Sequence, residues 1–275
     1  MKWFSTALLI LSISLSSCQR QYDESLQIVY RREFPGSIKQ IMIMDEDGSN
    51  QHQITYTTNN DNPSWSADTE KIVFSYNNFL HTMNPDGTGL EQVNAYISFY
   101  PTWSPDGQKI VFYSNAFTAD QEVYSINPDG TGLINLTNNA AADLFPSWFP
   151  DGKKIAFLRT NDIYSMNSDG TNQNQITFTA GKVSVSVSPD GSRFAYESGS
   201  HIWVVNSDGT NPVNLTLPYT TANRASWSPS GEKIVFATAT YPREICVINA
   251  DGSGFIQLTS NGDDEDTPCF IGKPR

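Results

Sequence analysis

The chain has 275 residues, with 17 Lys and Arg against 29 Asp and Glu, and a formal net charge of −12. It is 38% hydrophobic and 12% aromatic, too apolar to stay disordered and unlike a coiled coil, a collagen or a polytopic membrane protein. The acidic balance argues against nucleic acid as a partner, because phosphate binding needs a basic surface.

The first predicted element is an export signal over residues 1–17. Met1-Lys2 is a short positive start, and the mostly apolar stretch from Ala7 to Leu15 is shorter than the roughly 20 residues of a spanning helix. Leu15-Ser16-Ser17-Cys18 resembles the bacterial lipobox. The resemblance implies cleavage before Cys18, lipidation of that thiol and anchoring in the cell envelope; Gln19, where an Asp would hold a lipoprotein at the inner membrane, points to the outer membrane. An ordinary signal peptide followed by a plain cysteine is the alternative. Processing removes one lysine and no acid, so the mature chain is one unit more negative. Residues 18–25 read as a polar tether.

From residue 26 onward the sequence repeats itself. One element is Trp65-Ser66-Ala67-Asp68 leading to Lys71-Ile72-Val73-Phe74. It returns at Trp103, Trp148, Val187 and Trp227, each time with a Pro-containing turn and a Lys-Ile-Val-Phe-like run. A second element is an Asp-Gly turn at Gly48, Gly87, Gly130, Gly170, Gly209 and Gly252. Six residues past each glycine stands an apolar residue, Ile54, Val93, Leu136, Ile176, Leu215 or Leu258, followed by Thr in every copy except Asn94. Pro-x-Trp is predicted to open a first strand, Ser-Pro-Asp-Gly to turn, and Lys-Ile-Val-Phe to form a second strand. A third strand alternates, as in Asp162 to Met166. A second turn leads to a fourth strand at the Leu-Thr pair.

Four strands in roughly 40 residues make one propeller blade. The fold predicted is all-β, a six-bladed β-propeller over residues 26–275. At the N-terminus Leu26–Tyr30 matches a second strand with no first strand before it. At the C-terminus Pro268-Cys269-Phe270 matches Pro-x-Trp. The last segment should therefore supply the inner strand of a composite blade and close the ring, removing two sheet edges. The repeated Trp residues are expected to pack between blades, with Val187 leaving its blade less filled unless neighbours compensate. Cys246 and Cys269 are expected to be buried small hydrophobes, with a disulfide as the alternative.

Trp-Ser-Pro-Asp-Gly-x-Lys-Ile-x-Phe, followed by Ile-Tyr-x-Met-Asn-x-Asp-Gly-Thr and Leu-Thr, resembles the TolB-type propeller repeat. TolB itself carries an additional N-terminal α/β domain, and this sequence resembles the propeller part alone. The resemblance implies a non-catalytic scaffold that binds a protein partner of the envelope, and a monomer is expected.

Both Asp-Gly turns fall on one face of such a ring. The opposite face carries the loops between blades and between second and third strands, which vary most in length here and are the natural place for binding. Near the channel mouth on that face the expected site residues are Asp61, Tyr100, Asp143, Lys182, Arg224, Asp264 and Asp266, with Asn60 and Glu265 beside them. Tyr96, Phe99, Phe117, Phe145, Tyr219 and Tyr241 are candidate anchors. Replacing Asp143 and Asp264 together is expected to weaken capture without unfolding.

No catalytic, metal or cofactor pattern is expected. Asp45–Asn50 has its glycine at the wrong offset for an EF-hand. His52, His81 and His201 show no ligand spacing, and no nucleophile elbow occurs. The alternative is a glycan-binding or polysaccharide-lyase-like propeller. It would need a channel histidine cluster, and for acidic sugars a basic patch, for which Arg31, Arg32, Arg224 and Arg243 are the candidates.

Overall fold

The computed structural model describes residues 26–217 and 219–271; the export signal, Cys18 and the tether lie outside the described residues. No helix of the described residues is long and apolar enough to cross a membrane. Six antiparallel sheets of four strands form the ring. The first three strands are β1 (Gln27–Phe34), β2 (Ile38–Asp45) and β3 (His52–Gln53). Then follow β4 (Asn60–Trp65), β5 (Ile72–Tyr76), β6 (Phe79–Met83) and β7 (Glu91–Gln92). The next blade has β8 (Phe99–Trp103), β9 (Ile110–Ser114), β10 (Glu122–Ile126) and β11 (Ile134–Asn135). After it come β12 (Asp143–Trp148), β13 (Lys154–Arg159), β14 (Asp162–Asn167) and β15 (Asn174–Gln175). The fifth has β16 (Lys182–Val187), β17 (Arg193–Ser198), β18 (His201–Asn206) and β19 (Val213–Asn214). The sixth has β20 (Ala222–Trp227), β21 (Lys233–Thr238), β22 (Ile245–Asn249) and β23 (Ile256–Gln257). Finally β24 (Asp264–Ile271) pairs antiparallel with β1, from Gln27 opposite Ile271 to Glu33 opposite Asp264, and completes the composite blade.

Two boundaries differ from the sequence reading. Pro-x-Trp ends the inner strand rather than opening it, because the strand already begins at Asn60 and its equivalents. The fourth strand is a two-residue pairing just before the Leu-Thr pair. The Leu-Thr pair itself turns inward, where its apolar member is buried in four of the six copies and half-buried at Ile176 and Leu258, and its Thr bonds back to the third strand of its own blade.

The core is divided among the six blade-to-blade contacts rather than gathered at one centre. In β5, Ile72 and Phe74 pack with Ile41, Ile43 and Ile54 of the preceding blade, while Val73 packs with Trp103, Ile110 and Phe112 of the following one. This is the two-residue period of a strand buried on both faces. Trp103 and Trp227 are buried members of such clusters, and Trp65 and Trp148 pack against theirs. Where Val187 stands for Trp, the preceding blade offers Phe149 in place of the usual Ser. Its ring meets Phe194 edge-on at 5.7 Å, in the cluster that holds Val187. Cys246 and Cys269 are free thiols.

The Asp-Gly turns contribute to this packing. Gly170 has φ +86°, and a Cβ there would lie 2.5 Å from the Leu136 carbonyl oxygen of the neighbouring blade. Gly107, in a first-to-second-strand turn, has φ +69° but open space around it. Gly107→Ala should therefore cost only the left-handed backbone penalty, about 1–2 kcal/mol. Gly170→Ala adds overpacking against a fixed backbone, for about 3–4 kcal/mol in all. Parallel thermal melts of the two variants check this; equal midpoints would show that the close approach carries no cost.

Candidate functional site

Each inner strand carries a β-bulge that places one extra residue against its partner strand, between Asp61 and Ser64 in β4 and between Asn223 and Ser226 in β20. In five blades the residue three before the Trp position takes a positive φ: Asn62 (52°), Tyr100 (50°), Phe145 (50°), Arg224 (58°) and Thr267 (51°). Pro63, Pro101, Pro146 and Pro268 follow it, in strands whose inner edge faces the axis and needs no ladder donor there. The channel narrows to a cavity of about 150 Å3 lined from all six inner strands, with Tyr100, Phe145, Ser184, Arg224 and Thr267 among its walls.

Beside the cavity lies a network of ion pairs in which Arg31, Asp264 and Asp266 are buried and their partners half-buried. Asp264 accepts from the Arg243 backbone N–H (3.0 Å), Arg243 Nε (2.9 Å) and Arg31 Nη2 (2.9 Å). Asp266 accepts from Arg243 Nη1 (2.5 Å) and lies 3.6 Å from Arg31 Nη2. Asp61 accepts from Lys39 (3.1 Å), and Glu33 from Arg31 Nη1 (3.3 Å). Burial alone would raise the Asp264 carboxyl, but the bonds and charges of Arg243 and Arg31 outweigh it and hold it below the ordinary carboxylate value.

Arg224 stands apart from these pairs. Its guanidinium lies over the Tyr100 ring at 4.7 Å and the Phe145 ring at 5.6 Å. Its nearest acid is Asp266, 3.9 Å from Nε. Tyr113 stacks on Tyr100 (5.8 Å), and burial pushes its phenol up to about 12, so it stays protonated. Burial also raises the neighbouring Glu197 carboxyl above its ordinary value.

Of the residues expected at the mouth, Asp61, Tyr100, Arg224, Asp264 and Asp266 come together here. Asp143 and Lys182 do not. They sit one position earlier in the repeat than Asp61, on the opposite side of the inner strand, and are built into the joints between blades. Asp143 is fully buried and takes a two-pronged bond from Arg159 (2.7 and 2.8 Å) and one from Asn139 (2.6 Å). Lys182 is buried on Asp162 (3.0 Å). Asn60 and Glu265 occupy the same joint position and bond to Gln40 (3.3 Å) and Arg32 (2.7 Å).

These joints explain the repeated Thr. Thr177 Oγ1 accepts from the Ile163 N–H (2.9 Å) and donates to Asp162 (2.9 Å), which holds Lys182 of the next blade. Thr55, Thr137, Thr216 and Thr259 accept in the same way, and Asn94, the one exception, does so with its Oδ1 toward the Leu80 N–H (3.1 Å). In one joint the acceptor is Glu122, wholly buried, bonded to Thr137 and to the Asn139 N–H, with Asp143 beside it. Burial chiefly, and Asp143 secondarily, raise its carboxyl above the ordinary value. A raised acid favours the folded state while protonated and opposes it once ionised. The penalty therefore begins above the unfolded value near 4.3 and persists at neutral pH. Glu122→Gln should raise the melting temperature at pH 7 and leave it unchanged near pH 4. A gain that is equal at both values would assign the effect to something other than charge.

The other anchors divide. Tyr96 and Phe117 meet edge-on at 4.8 Å on the loop face, where Phe117 is 56% exposed. Tyr241 is 81% exposed. Tyr219 instead stacks on Phe255 of the next blade at 5.1 Å. His81 packs against Phe74 and Tyr76, and His201 lies in a joint beside Thr216. Among the described residues no three His, Cys, Asp or Glu side chains are grouped to hold a metal ion. Sequence reasoning underweighted Arg31 and Arg243, which it named only as a basic patch, and missed Ser184 and Thr267. The usable signal was the position three residues before each Trp.

No curated protein matches the sequence. Among solved structures, TolB from Acinetobacter baumannii superposes with a TM-score of 0.78 at 21% identity, over 91% of this chain and 68% of that one. A TolB assignment from Agrobacterium tumefaciens gives 0.73 at 19%, over 90% and 99%. Hydrazine synthase of Kuenenia stuttgartiensis gives 0.73 at 14%, over 91% of this chain and 47% of that one. The last contains this fold within an enzyme, so these likenesses speak to fold and not to activity. The TolB beta propeller domain matches residues 40–270, nearly the whole ring, and the chain belongs to the TolB β-propeller family.

Proposed function

We propose that this chain is a non-catalytic scaffold of the bacterial envelope that captures a protein partner at the channel mouth. One observation carries the reading. A rigid, internally paired charge network sits at the axis, ringed by loops of unequal length that expose Phe117 and Tyr241. Exposed aromatic anchors around a preorganised polar centre suit protein association, because little order is lost on binding. Lipidation at Cys18 would hold the ring to a membrane, with residues 18–25 as the tether and the outer membrane as the expected site.

The test is affinity capture from an envelope extract with the ring, beside a glycan array. A protein partner retained by the wild type and lost with the pair Phe117→Asp and Tyr241→Asp is expected; both side chains are exposed, so the fold should persist. Specific glycan binding with no such protein would reverse the reading. For the anchor, labelling with palmitate should reach the wild type and not Cys18→Ser.

A further inference from the structure

We propose that the ring turns its channel mouth away from the membrane that anchors it, so that the loop face captures a protein surface held clear of that membrane and not the membrane itself; the inference rests on lipidation at Cys18. Exposed aromatics on a lipid-anchored protein would ordinarily be read as groups that dip into the bilayer. The path of the chain forbids it here. β1 is a second strand, so it starts at the Asp-Gly turns and climbs toward the loop face. Gln27 pairs with Asp45, next to the Asp47-Gly48 turn, and Phe34 pairs with Ile38 at the far end. Leu26 is pinned at the lower end, where its carbonyl accepts from the Glu46 N–H (2.8 Å) and its side chain packs against the cluster around Tyr30. The closing strand β24 ends at Ile271, opposite Gln27, on the same face. The anchor therefore joins the ring on the turn face. Phe117 and Tyr241 lie on the opposite face, in the loops after β9 and β21, and are 56% and 81% exposed.

Lengths decide the orientation. Eight peptide steps separate Cys18 from Leu26, a span of at most about 29 Å when fully extended. To lay the loop face on the same bilayer, that segment would first have to pass outward beneath β2 and β3, about 10 Å at the usual strand spacing. It would then have to climb the eight-residue height of β1, about 24 Å more. The route exceeds the reach even before side chains are counted, so Phe117 and Tyr241 do not meet the bilayer that holds Cys18. The turn face does not lie flat on an anionic bilayer either. Asp86, Asp129, Asp169 and Asp208 stand exposed on it, and in each case the hydroxyl and N–H of the Thr two residues on hold the carboxyl below its ordinary value, so all four stay ionised. Their repulsion from anionic headgroups fades over about 8 Å at physiological salt, well inside the tether's span. The ring therefore stands off with its mouth outward, and its partner must present a surface at least about 24 Å from the bilayer.

The test uses the acylated full-length chain on vesicles of phosphatidylethanolamine and phosphatidylglycerol whose headgroups carry an energy-transfer acceptor. Glu232 and Tyr241 are exposed and flank β21 at its turn-face and loop-face ends. A donor dye is placed at Glu232→Cys or at Tyr241→Cys, each combined with Cys269→Ser, the residue that four other blades carry there; Cys246 is buried. Transfer should be several-fold stronger from position 232 than from position 241. A Gly-Ser insert of about 20 residues after Asp23 adds roughly 70 Å of reach and should bring the two signals together. Vesicle binding should survive the pair Phe117→Asp and Tyr241→Asp and be lost with Cys18→Ser. Vesicle binding with equal transfer from both positions, with stronger transfer from 241, or with a difference unmoved by the insert would overturn the orientation alone. Loss of vesicle binding in the aromatic double variant would assign those side chains to the bilayer and overturn it as well. A chain that is not acylated, or that binds vesicles no better than Cys18→Ser, would overturn the anchor and this inference with it.

Discussion

A chain ending before Asp264 is expected to lose cooperative folding. β24 is the inner strand of the composite blade, and its partner β1 lies more than 200 residues away in sequence. Without β24 the inner edge of β1 loses its pairing partner and opens as a row of unpaired backbone groups, and the faces of the two adjoining blades lose the strand that packs between them. Two neighbouring cores are breached together, since Phe270 belongs to the cluster around Tyr30 and Val235, and Ile271 to the one around Ile43 and Phe74. Burial of these two side chains is worth about 1.5–3 kcal/mol each. Their loss comes on top of Arg31, left buried without Asp264 or Asp266. Circular dichroism melts should show a broad, early transition and ready aggregation. A peptide of residues 264–275 added in trans should restore part of the transition by adding the missing strand. A truncated chain that melts like the full one would mean that the ring is not closed by this strand.

Asp264→Ala should destabilise the fold by about 3–5 kcal/mol, the usual result of removing one partner from a buried ion pair. Asp264 is 2% exposed and is the shared acceptor of Arg31 and Arg243. This reverses the sequence expectation that Asp143 and Asp264 could be replaced without unfolding. Each is a buried acceptor that holds an arginine, and Asp143 is completely enclosed. Glu46→Ala is the control, because its bridge to Lys233 (3.1 Å) is at the surface and such pairs contribute about 0–1 kcal/mol. The pH dependence has a definite sign. The Asp264 carboxyl is held below its unfolded value, so its contribution is full above pH about 4 and is lost as pH falls through the lower folded value. Denaturant melts at pH 7 and pH 3 should show the gap between wild type and Asp264→Ala closing in acid. A gap that is the same at both would show that the charge is not what stabilises.

The repeat made most of the ring legible because its rules are local. Fixed offsets from the Asp-Gly turns place the strands. Alternation in Lys-Ile-Val-Phe assigns each side chain to one neighbouring blade or the other. Even the deviations carry information of this kind: Asn94 replaces the joint Thr with another acceptor, and Phe149 appears in the blade that faces Val187. The joint position itself was harder to read. Asn60, Asp143, Lys182 and Glu265 look like mouth residues because they begin the inner strands, yet side chains one apart on a strand face opposite ways. The bulge then shifts everything after it by one residue.

Spacing and strand periodicity along the chain are enough to specify the blade, its sixfold copy number and the closure between the chain ends. Tertiary structure alone decided which charges meet. Arg31 and Asp264 stand 233 residues apart and share a bond only because the ring closes. Asp266 lies between two arginines of one blade, bonded by Arg243 and 3.9 Å from Arg224. Such pairings depend on distances of a few ångströms between strands of different blades, and no pattern along one strand encodes them.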